Sequence, residues 1–456
     1  MNASRLRSLS SRVRIGLTLG ALVVGTLLIG SDAQAEPATL SQAASSVAAT
    51  NFTSGIQIQN LSSTTANVSV AYNNSDGTSA GSPQVFTIPG NQSYTLYGNT
   101  MAVAPGFQGS VVVSADQPVS AITNLLSSGP AMGEAYDGVS TPAVTVNVPL
   151  FQQNNRGTNS TMYIQNTSAS PNNVTVTFNG GSSPITVSNT IAGNGSWTVN
   201  GTNDNITTTF VGSAVVSGSA PVAVEINQSN GSILFSYTGS GAGSPTVYAP
   251  LLMNNNRGYS TGLQIQNTSS SATTVSLYLN GSSTPVPGAT GIALAAGQSV
   301  TWYPIPGTAA GFVGSGTVQS SNGATLLGAV NELDTITGQG MTYDAFNNGT
   351  QTVSMPLIMF NNRGYFTGEQ IQNVGTCSTT VDFSINGTVV DSRAIGVGQS
   401  YTWFSNTANP IPGGGAVAGA TAHARDSCGS IVGIVNEITS PQASGDTSFA
   451  YEGFNE

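Results

Sequence analysis

The sequence has 456 residues, of which only 6% are charged, and all nine basic residues are arginine because there is no lysine. A typical soluble domain has about 25% charged residues, so the formal net charge of -10 comes from a small number of acids. This balance excludes a charge-driven disordered chain, a coiled coil and chemistry based on lysine, and it argues against nucleic-acid binding.

The first 35 residues have the pattern of a signal peptide. Four arginines between positions 5 and 14 precede an apolar stretch at 15–29, and a small-x-small sequence follows at 33–35. The apolar stretch is shorter than the about 20 residues of a membrane-spanning helix. We therefore predict cleavage after residue 35, a secreted, cell-surface protein, and no transmembrane segment in the mature chain. An uncleaved N-terminal anchor is the alternative.

Cleavage would remove four of the nine arginines and one of the nineteen acids, which leaves five against eighteen and a formal net charge of -13.

Four short sequence marks recur at one period through the rest of the chain. Ile-Gln-Asn ends at Asn60, Asn166, Asn267 and Asn373, at intervals of 106, 101 and 106 residues. Asn-Asn-Arg-Gly occurs at 154–157, 255–258 and 361–364. Phe-x-Gly-Ser begins at Phe107, Phe210 and Phe312, and a tyrosine recurs at Tyr136, Tyr237, Tyr343 and Tyr451. Such a period indicates tandem duplication.

The marks divide the mature chain into a leader and four modules. The leader is 36–50, and the modules are 51–146, 147–247, 248–353 and 354–456. Module three has short, nearly alternating segments at 263–267, 275–279, 299–303, 316–319 and 326–330, separated by Asn-Gly and Gly-Ser turns. We predict an all-β chain of four tandem Ig-like β-sandwich modules, each of about 100 residues.

The Asn-Asn-Arg-Gly motif suggests a turn combined with an ion pair. Asn and Gly tolerate positive φ, and an acid aligns near the end of each module that has the motif. The predicted pairs are Arg156 with Glu225, Arg257 with Glu332, and Arg363 with Glu437. Module one lacks both the arginine and the acid, which favours a pairing. The alternative is that the arginines contact a ligand.

Cys377 and Cys428 both lie in module four and are predicted to form a disulfide in an oxidising compartment. With His423 as the single histidine, two cysteines do not complete a zinc site. A Cys–His catalytic pair is a minor alternative. No phosphate-binding loop or EF-hand calcium loop is present, so we predict no cofactor, no metal site and no catalytic residue.

Aromatic residues recur in one strand of each module, at Tyr94, Trp197, Trp302 and Tyr401 with Trp403. We predict that they pack in the core, and a sugar-stacking platform is the alternative. Asn-x-Ser/Thr triplets begin at Asn60, Asn67, Asn166, Asn267, Asn280 and Asn386, where glycosylation would be an additional hypothesis.

The two ends suggest a way to self-associate. Module four lacks the closing segment found at 146–150, 247–251 and 353–357, and module one lacks the matching opening part. Because an exposed sheet edge can pair with a foreign strand, the leader at 36–50 could add to module four of a neighbouring molecule and form a fibre. A simple leader and a truncated last repeat are the alternative.

Through its module length, strand rhythm, low charge and repeated marks, the chain resembles the tandem Ig-like repeats of bacterial surface proteins. The resemblance implies an extracellular structural or spacer role and no enzyme activity. A carbohydrate-binding adhesin that contacts cell-surface polysaccharide is the second hypothesis, and a secreted hydrolase with paired carboxyls is the third.

Overall fold

The computed structural model describes residues 38–41, 52–128, 131–334 apart from 182, 203, 205 and 207, then 336–404, 415–439 and 444–455. The predicted signal peptide lies outside the described residues, as does the leader apart from 38–41. The described part of the chain contains strands and no helix, so the all-β prediction is confirmed. No helix capable of crossing a membrane occurs in it.

The strands fall into four sets that follow the sequence period, and we call these sets repeats 1 to 4. Repeat 1 comprises β1 (Ala38–Ser41), β2 (Phe52–Asn60), β3 (Ala66–Asn74), β4 (Gln84–Ile88), β5 (Ser93–Tyr97), β6 (Gly109–Ala115), β7 (Val119–Ser128) and β8 (Ala131–Asp137). Repeat 2 comprises β9 (Ala143–Gln153), β10 (Asn159–Asn166), β11 (Asn172–Asn179), β12 (Ile185–Ile191), β13 (Ser196–Asn200), β14 (Phe210–Ser229) and β15 (Leu234–Thr238).

Repeat 3 comprises β16 (Thr246–Asn254), β17 (Tyr259–Asn267), β18 (Thr273–Leu279), β19 (Ile292–Leu294), β20 (Ser299–Trp302), β21 (Phe312–Ser320), β22 (Leu326–Asp334) and β23 (Gln339–Ala345). Repeat 4 comprises β24 (Thr352–Asn362), β25 (Tyr365–Asn373), β26 (Thr379–Ile385), β27 (Thr388–Ile395), β28 (Ser400–Phe404), β29 (Ala416–Ala424), β30 (Ile431–Thr439), β31 (Phe449–Glu452) and β32 (Phe454–Asn455).

Each repeat has an outer and an inner antiparallel sheet. In repeat 3 the outer order is β16-β21-β18-β19 and the inner order is β20-β17-β22-β23. Repeats 1 and 4 follow the same scheme, and in repeat 2 the long strand β14 serves both sheets. The alternating apolar side chains of the two sheets face each other, as Leu263 and Ile265 do against Val275 and Leu277. The five strands predicted in module three lie in β17, β18, β20, β21 and β22.

The predicted module boundaries fall inside strands. The junctions 146/147, 247/248 and 353/354 lie within β9, β16 and β24. Each of these strands pairs with another strand of the later repeat at its junction, namely repeat 2, 3 or 4. These strands therefore begin a few residues before the predicted module starts.

The four repeats close into a ring. Strand β8 packs against β15, β15 against β23, β23 against β31, and β31 against β8. The last inner-sheet strand of every repeat therefore surrounds one central axis. We call the contacts between successive repeats seams, and the fourth seam joins repeat 4 to repeat 1.

Residues 38–41 of the leader are used within their own chain. They form β1, which pairs antiparallel with β6 of repeat 1, from Ala38 with Val113 to Ser41 with Ser110. Residues 454–455 at the other end pair with β24. This pairing differs from the strand-addition hypothesis, in which the leader pairs with module four of a neighbouring molecule, because residues 38–41 are already paired with β6 of their own chain.

Candidate functional site at the seams

The Asn-Asn-Arg-Gly motif forms one turn three times, between β9 and β10, between β16 and β17, and between β24 and β25. The first Asn, the Arg and the Gly all have positive φ; in the second copy the values are 45° for Asn255, 51° for Arg257 and 98° for Gly258. The predicted turn is therefore present. The sequence did not indicate that the arginine itself adopts a left-handed conformation, which is uncommon for a residue other than Gly, Asn or Asp.

The three arginines are not brought to the predicted glutamates. Arg156, Arg257 and Arg363 are exposed, and the ion pairs within 4.0 Å among the described residues join Arg393 to Asp391 and Arg425 to Asp382. The three glutamates are buried, and among the described residues none of them forms an ion pair with a turn arginine. Loss of both residues from repeat 1 was thus not a sign of contact.

The buried glutamates instead connect neighbouring repeats through amides. Asn436 Nδ2 of repeat 4 donates to Glu332 Oε2 of repeat 3 at 2.9 Å, and Asn331 Nδ2 donates to Gln228 Oε1 of repeat 2 at 3.0 Å. Asn124 Nδ2 of repeat 1 donates to Glu437 Oε2 of repeat 4 at 3.2 Å, which closes the series. One asparagine–carbonyl contact thus recurs at three seams.

Glu225 has a different position in its strand: the pairing register aligns it with Ala329, three residues before Glu332, and Gln228 takes the place of Glu332. Glu225 is fully buried and accepts a hydrogen bond of 2.9 Å from Ser236 Oγ of its own repeat. Burial raises the pKa of Glu225, Glu332 and Glu437 to about 8 each, because desolvation penalises the charged form. At neutral pH these carboxyls are therefore largely protonated and need no cation.

More acids surround the central axis. The residue after the recurring tyrosine is Asp137, Thr238, Asp344 or Glu452 in the four repeats. Asp344 Oδ2 accepts from Thr238 Oγ1 at 2.9 Å, and Glu452 accepts from the backbone N–H of Asp344. Burial raises the pKa of Asp137, Asp344 and Glu452 well above the usual range. These acids were not predicted from the sequence, although each directly follows one of the aligned tyrosines.

Two further acids bond between repeats beside the strands that surround the axis. Asp446 accepts from the backbone N–H groups of Leu234 and Gly340, each at 2.7 Å, and Glu134 accepts from Thr342 N at 2.9 Å. These bonds join repeat 4 to repeats 2 and 3, and repeat 1 to repeat 3. Within the described residues, no group of three or more His, Cys, Asp or Glu side chains is placed to hold a metal ion.

The Ile-Gln-Asn mark is explained by the sandwich and the seam together. Ile265 is in the core of repeat 3, and Asn267 Nδ2 donates to the carbonyls of Ser271, Leu294 and Ala295 at 2.7–3.2 Å. Gln266 Nε2 reaches Ala214 O of the preceding repeat at 3.3 Å. Because Asn60, Asn166 and Asn267 are buried, they are poor glycan acceptors in the folded chain, whereas Asn67, Asn280 and Asn386 are exposed.

The recurring tyrosine is explained by the Pro-Leu segment at the start of each later repeat. Tyr343 Oη donates to Leu251 O at 2.6 Å, and Leu251 N donates back to Tyr343 Oη at 3.2 Å. Tyr237 and Tyr451 bond to Leu150 and Leu357 in the same way.

The recurring aromatics divide between core and surface. Trp302 and Trp403 are buried, with exposed fractions of 5% and 1%, as the core prediction requires. Trp197 is partly buried, and Tyr94 is 44% exposed and stacks on Phe86. In repeats 1 and 2 the core position lies two residues after Tyr94 or Trp197 and is filled by Leu96 or Val199.

The disulfide between Cys377 and Cys428 is confirmed. It leaves neither thiol free for a Cys–His pair, and His423 Nδ1 lies 3.0 Å from Thr352 Oγ1.

The fourth seam contains two adjoining cavities. One of about 190 Å³ is lined by Tyr97, Leu126, Asn362, Arg363, Tyr365 and Glu437, among others. The next, of about 510 Å³, is lined mainly by polar groups including Asn91, Ser93, Asn386 and Gly419. Gln57, Thr95 and Val417 border both cavities, so the two form one groove along the seam.

The groove has a local cause. At the second and third seams a serine hydroxyl crosses to the next repeat, with Ser213 Oγ donating to Gly297 O and Ser315 Oγ to Gly398 O at 2.6 Å. Strand pairing aligns Gly419 with these serines. A glycine has no hydroxyl and leaves space between repeats 4 and 1.

No family model matches the chain, and no curated protein matches it. One solved structure, titled "Crystal Structure of Thermotoga maritima 1070", is similar to 22% of this chain at 19% identity and a TM-score of 0.20, over 95% of its own length.

Proposed function

We propose that this chain is an exported, cell-surface structural protein whose working form is the closed ring. The observation that supports this most directly is that the repeated motifs are used in the architecture. The Asn of Ile-Gln-Asn donates a hydrogen bond to a loop carbonyl, and the Gln donates one to the preceding repeat. The recurring tyrosine donates one to the Pro-Leu segment.

The distribution of acids also supports a structural role over hydrolysis. A carboxylate hydrolase needs two carboxyls that face one cleft. The groove at the fourth seam is lined by one carboxyl, that of Glu437, among the described residues. Among the other buried acids, Glu332, Asp446 and Glu134 accept hydrogen bonds from other repeats, and Glu225 accepts one from Ser236 of its own repeat.

A compact ring differs from the elongated spacer that tandem repeats suggest. A compact body of about 420 residues has a radius of gyration of about 22 Å, and four modules in a row would be clearly longer. Small-angle scattering of the mature protein should give the compact value.

Export has a separate test. Full-length protein produced in a secreting bacterial host should appear at the cell surface or in the medium. Its mass should be that of a chain whose first residue is Glu36. Retention of the uncut chain inside the cell would contradict the proposed location, and a rod-like scattering curve would contradict the ring.

A carbohydrate-binding adhesin is the second candidate, because the groove at the fourth seam combines exposed aromatic and amide groups.

A further inference from the structure

The arginine of the Asn-Asn-Arg-Gly turn is not explained by the turn. Asn or Gly would fit the left-handed position with less strain than Arg. Arg363 nevertheless has φ of 52° and is exposed, and it forms no ion pair within 4.0 Å with any described residue. Its guanidinium is thus free to bind a group outside the chain.

The surroundings of Arg363 indicate what that group is. The smaller cavity brings Arg363 and the Asn362 amide of repeat 4 together with Tyr97 of repeat 1, whose side chain is 57% exposed. A flat aromatic face beside amides suits a sugar ring, which has both C–H faces and hydroxyl groups.

A second polar group in the cavity wall lacks a partner. Glu437 is 1% exposed; its Oε2 accepts from Asn124, whereas its Oε1 has no hydrogen-bond partner within the described structure. A buried polar atom of this kind ordinarily has a partner, and a ligand hydroxyl in the cavity would supply one.

The adjoining larger cavity continues the groove. Its polar lining, including Asn91, Ser93 and Asn386, offers hydrogen bonds to a second sugar unit. The ligand that fits is therefore longer than one ring.

We propose that the groove of the fourth seam binds an acidic oligosaccharide. The carboxylate of one sugar unit pairs with Arg363, its ring packs against Tyr97, and the next unit enters the amide-lined cavity. A single guanidinium matches the single charge of a carboxylate and can bind it with two parallel hydrogen bonds.

The acid that lines the groove does not oppose the binding of an anion. Burial raises the pKa of Glu437 to about 8, so this carboxyl is neutral in an assay at pH 6 and does not repel the ligand.

The test is calorimetric titration of the mature chain at pH 6 and low salt with oligogalacturonate, and with its methyl ester as the uncharged probe. The acid form should bind about tenfold more tightly than the ester. Arg363→Gln should weaken binding of the acid form by about tenfold. Arg393→Gln removes the same charge from the same repeat outside the groove and should leave binding unchanged.

Two tyrosines of β5 provide a second matched pair. Tyr97→Ala should weaken binding severalfold, whereas Tyr94→Ala, which removes an exposed tyrosine that does not line the groove, should not. Circular dichroism would confirm that both variants fold.

Absence of binding, equal binding of acid and ester, or equal effects of Arg363→Gln and Arg393→Gln would each overturn the site. Access to a surface saccharide in the cell rests on the proposed function, which concerns export. Titration with purified protein does not depend on location, so failure of the site and failure of export are separate results.

Discussion

At the scale of single residues, the repeats hold three arginines in a conformation that costs free energy. Arg156, Arg257 and Arg363 all have φ near 50°. A non-glycine residue in the left-handed region costs on the order of 1 kcal/mol, and such strain tends to occur at functional positions. Five arginines follow the predicted cleavage site, and three of them occupy this one turn position. A residue type that is this rare is therefore concentrated at a strained position.

Arg257→Asn should therefore stabilise the protein, by about 0.5–1 kcal/mol, because Asn tolerates the left-handed region better. Chemical denaturation of the two proteins measures the difference. Asn255→Ala, at a position with φ of 45° in the same turn, should shift stability in the opposite direction. A loss of stability in Arg257→Asn would show that the guanidinium has a structural partner.

The buried asparagine of Ile-Gln-Asn is a second residue with a large expected effect. Asn267→Ala leaves three backbone carbonyls without their side-chain donor. Since an unsatisfied buried polar group costs about 1–3 kcal/mol, we expect a loss of about 2–3 kcal/mol in the free energy of unfolding. Asn74→Ala, which removes an exposed bond to Thr78, should change stability by less than about 0.5 kcal/mol. Similar losses in both variants would contradict the role of Asn267.

At the scale of elements, the strands were predictable because their signal is local. Alternating apolar residues in 275–279 and turn residues at Asn280 and Gly281 require no knowledge of the rest of the chain. The seams were not predictable, because a glutamate that bonds to the next repeat has the same sequence neighbours as one that pairs with an arginine. Glu332 was assigned to Arg257 for that reason, and it bonds to Asn436 of another repeat.

The disulfide is the element-scale feature with the simplest energetics. It closes a loop of 51 residues, which corresponds to about 4 kcal/mol in the chain-entropy model. Replacing Cys377 and Cys428 together by alanine should lower the unfolding free energy of repeat 4 by an amount of that order. Trp403, 1% exposed in repeat 4, reports this unfolding in a Trp197→Phe, Trp302→Phe background. An unchanged midpoint would show that the bond adds no stability.

At the scale of the whole molecule, the ring explains how an acidic chain can bury so many acids. Glu134, Glu225, Glu332, Glu437 and Asp446 are all buried. The sequence shows how many acids there are, but the burial of most of them depends on contacts between repeats, which no local pattern encodes. Asn124 of repeat 1 and Glu437 of repeat 4, which meet where repeat 4 closes onto repeat 1, are 313 residues apart.

Ring closure should therefore make stability depend on pH, with an unusual sign. Glu225, Glu332 and Glu437 remain protonated in the folded protein up to about pH 8, whereas in the unfolded chain they ionise near pH 4.3. Between these values the folded state binds more protons, so their contribution is fully present below about pH 4 and is lost as the pH rises towards 8. A shift of that size corresponds to about 5 kcal/mol for each group, so the summed loss should be on the order of 15 kcal/mol. Asp382, whose pKa is lowered by Arg425, acts in the opposite sense, but only at more acidic pH.

Thermal unfolding followed from pH 5 to pH 8.5 should thus show a steadily falling midpoint. The double variant Glu332→Gln, Glu437→Gln keeps an acceptor for Asn436 and Asn124 but cannot ionise, and its profile should be flatter over the same range. This comparison separates the seams from the rest of the molecule, because the axial acids are unchanged in both proteins. A wild-type midpoint that rises or stays level with pH would mean that these carboxyls are charged in the folded ring and that cations, not protons, balance them.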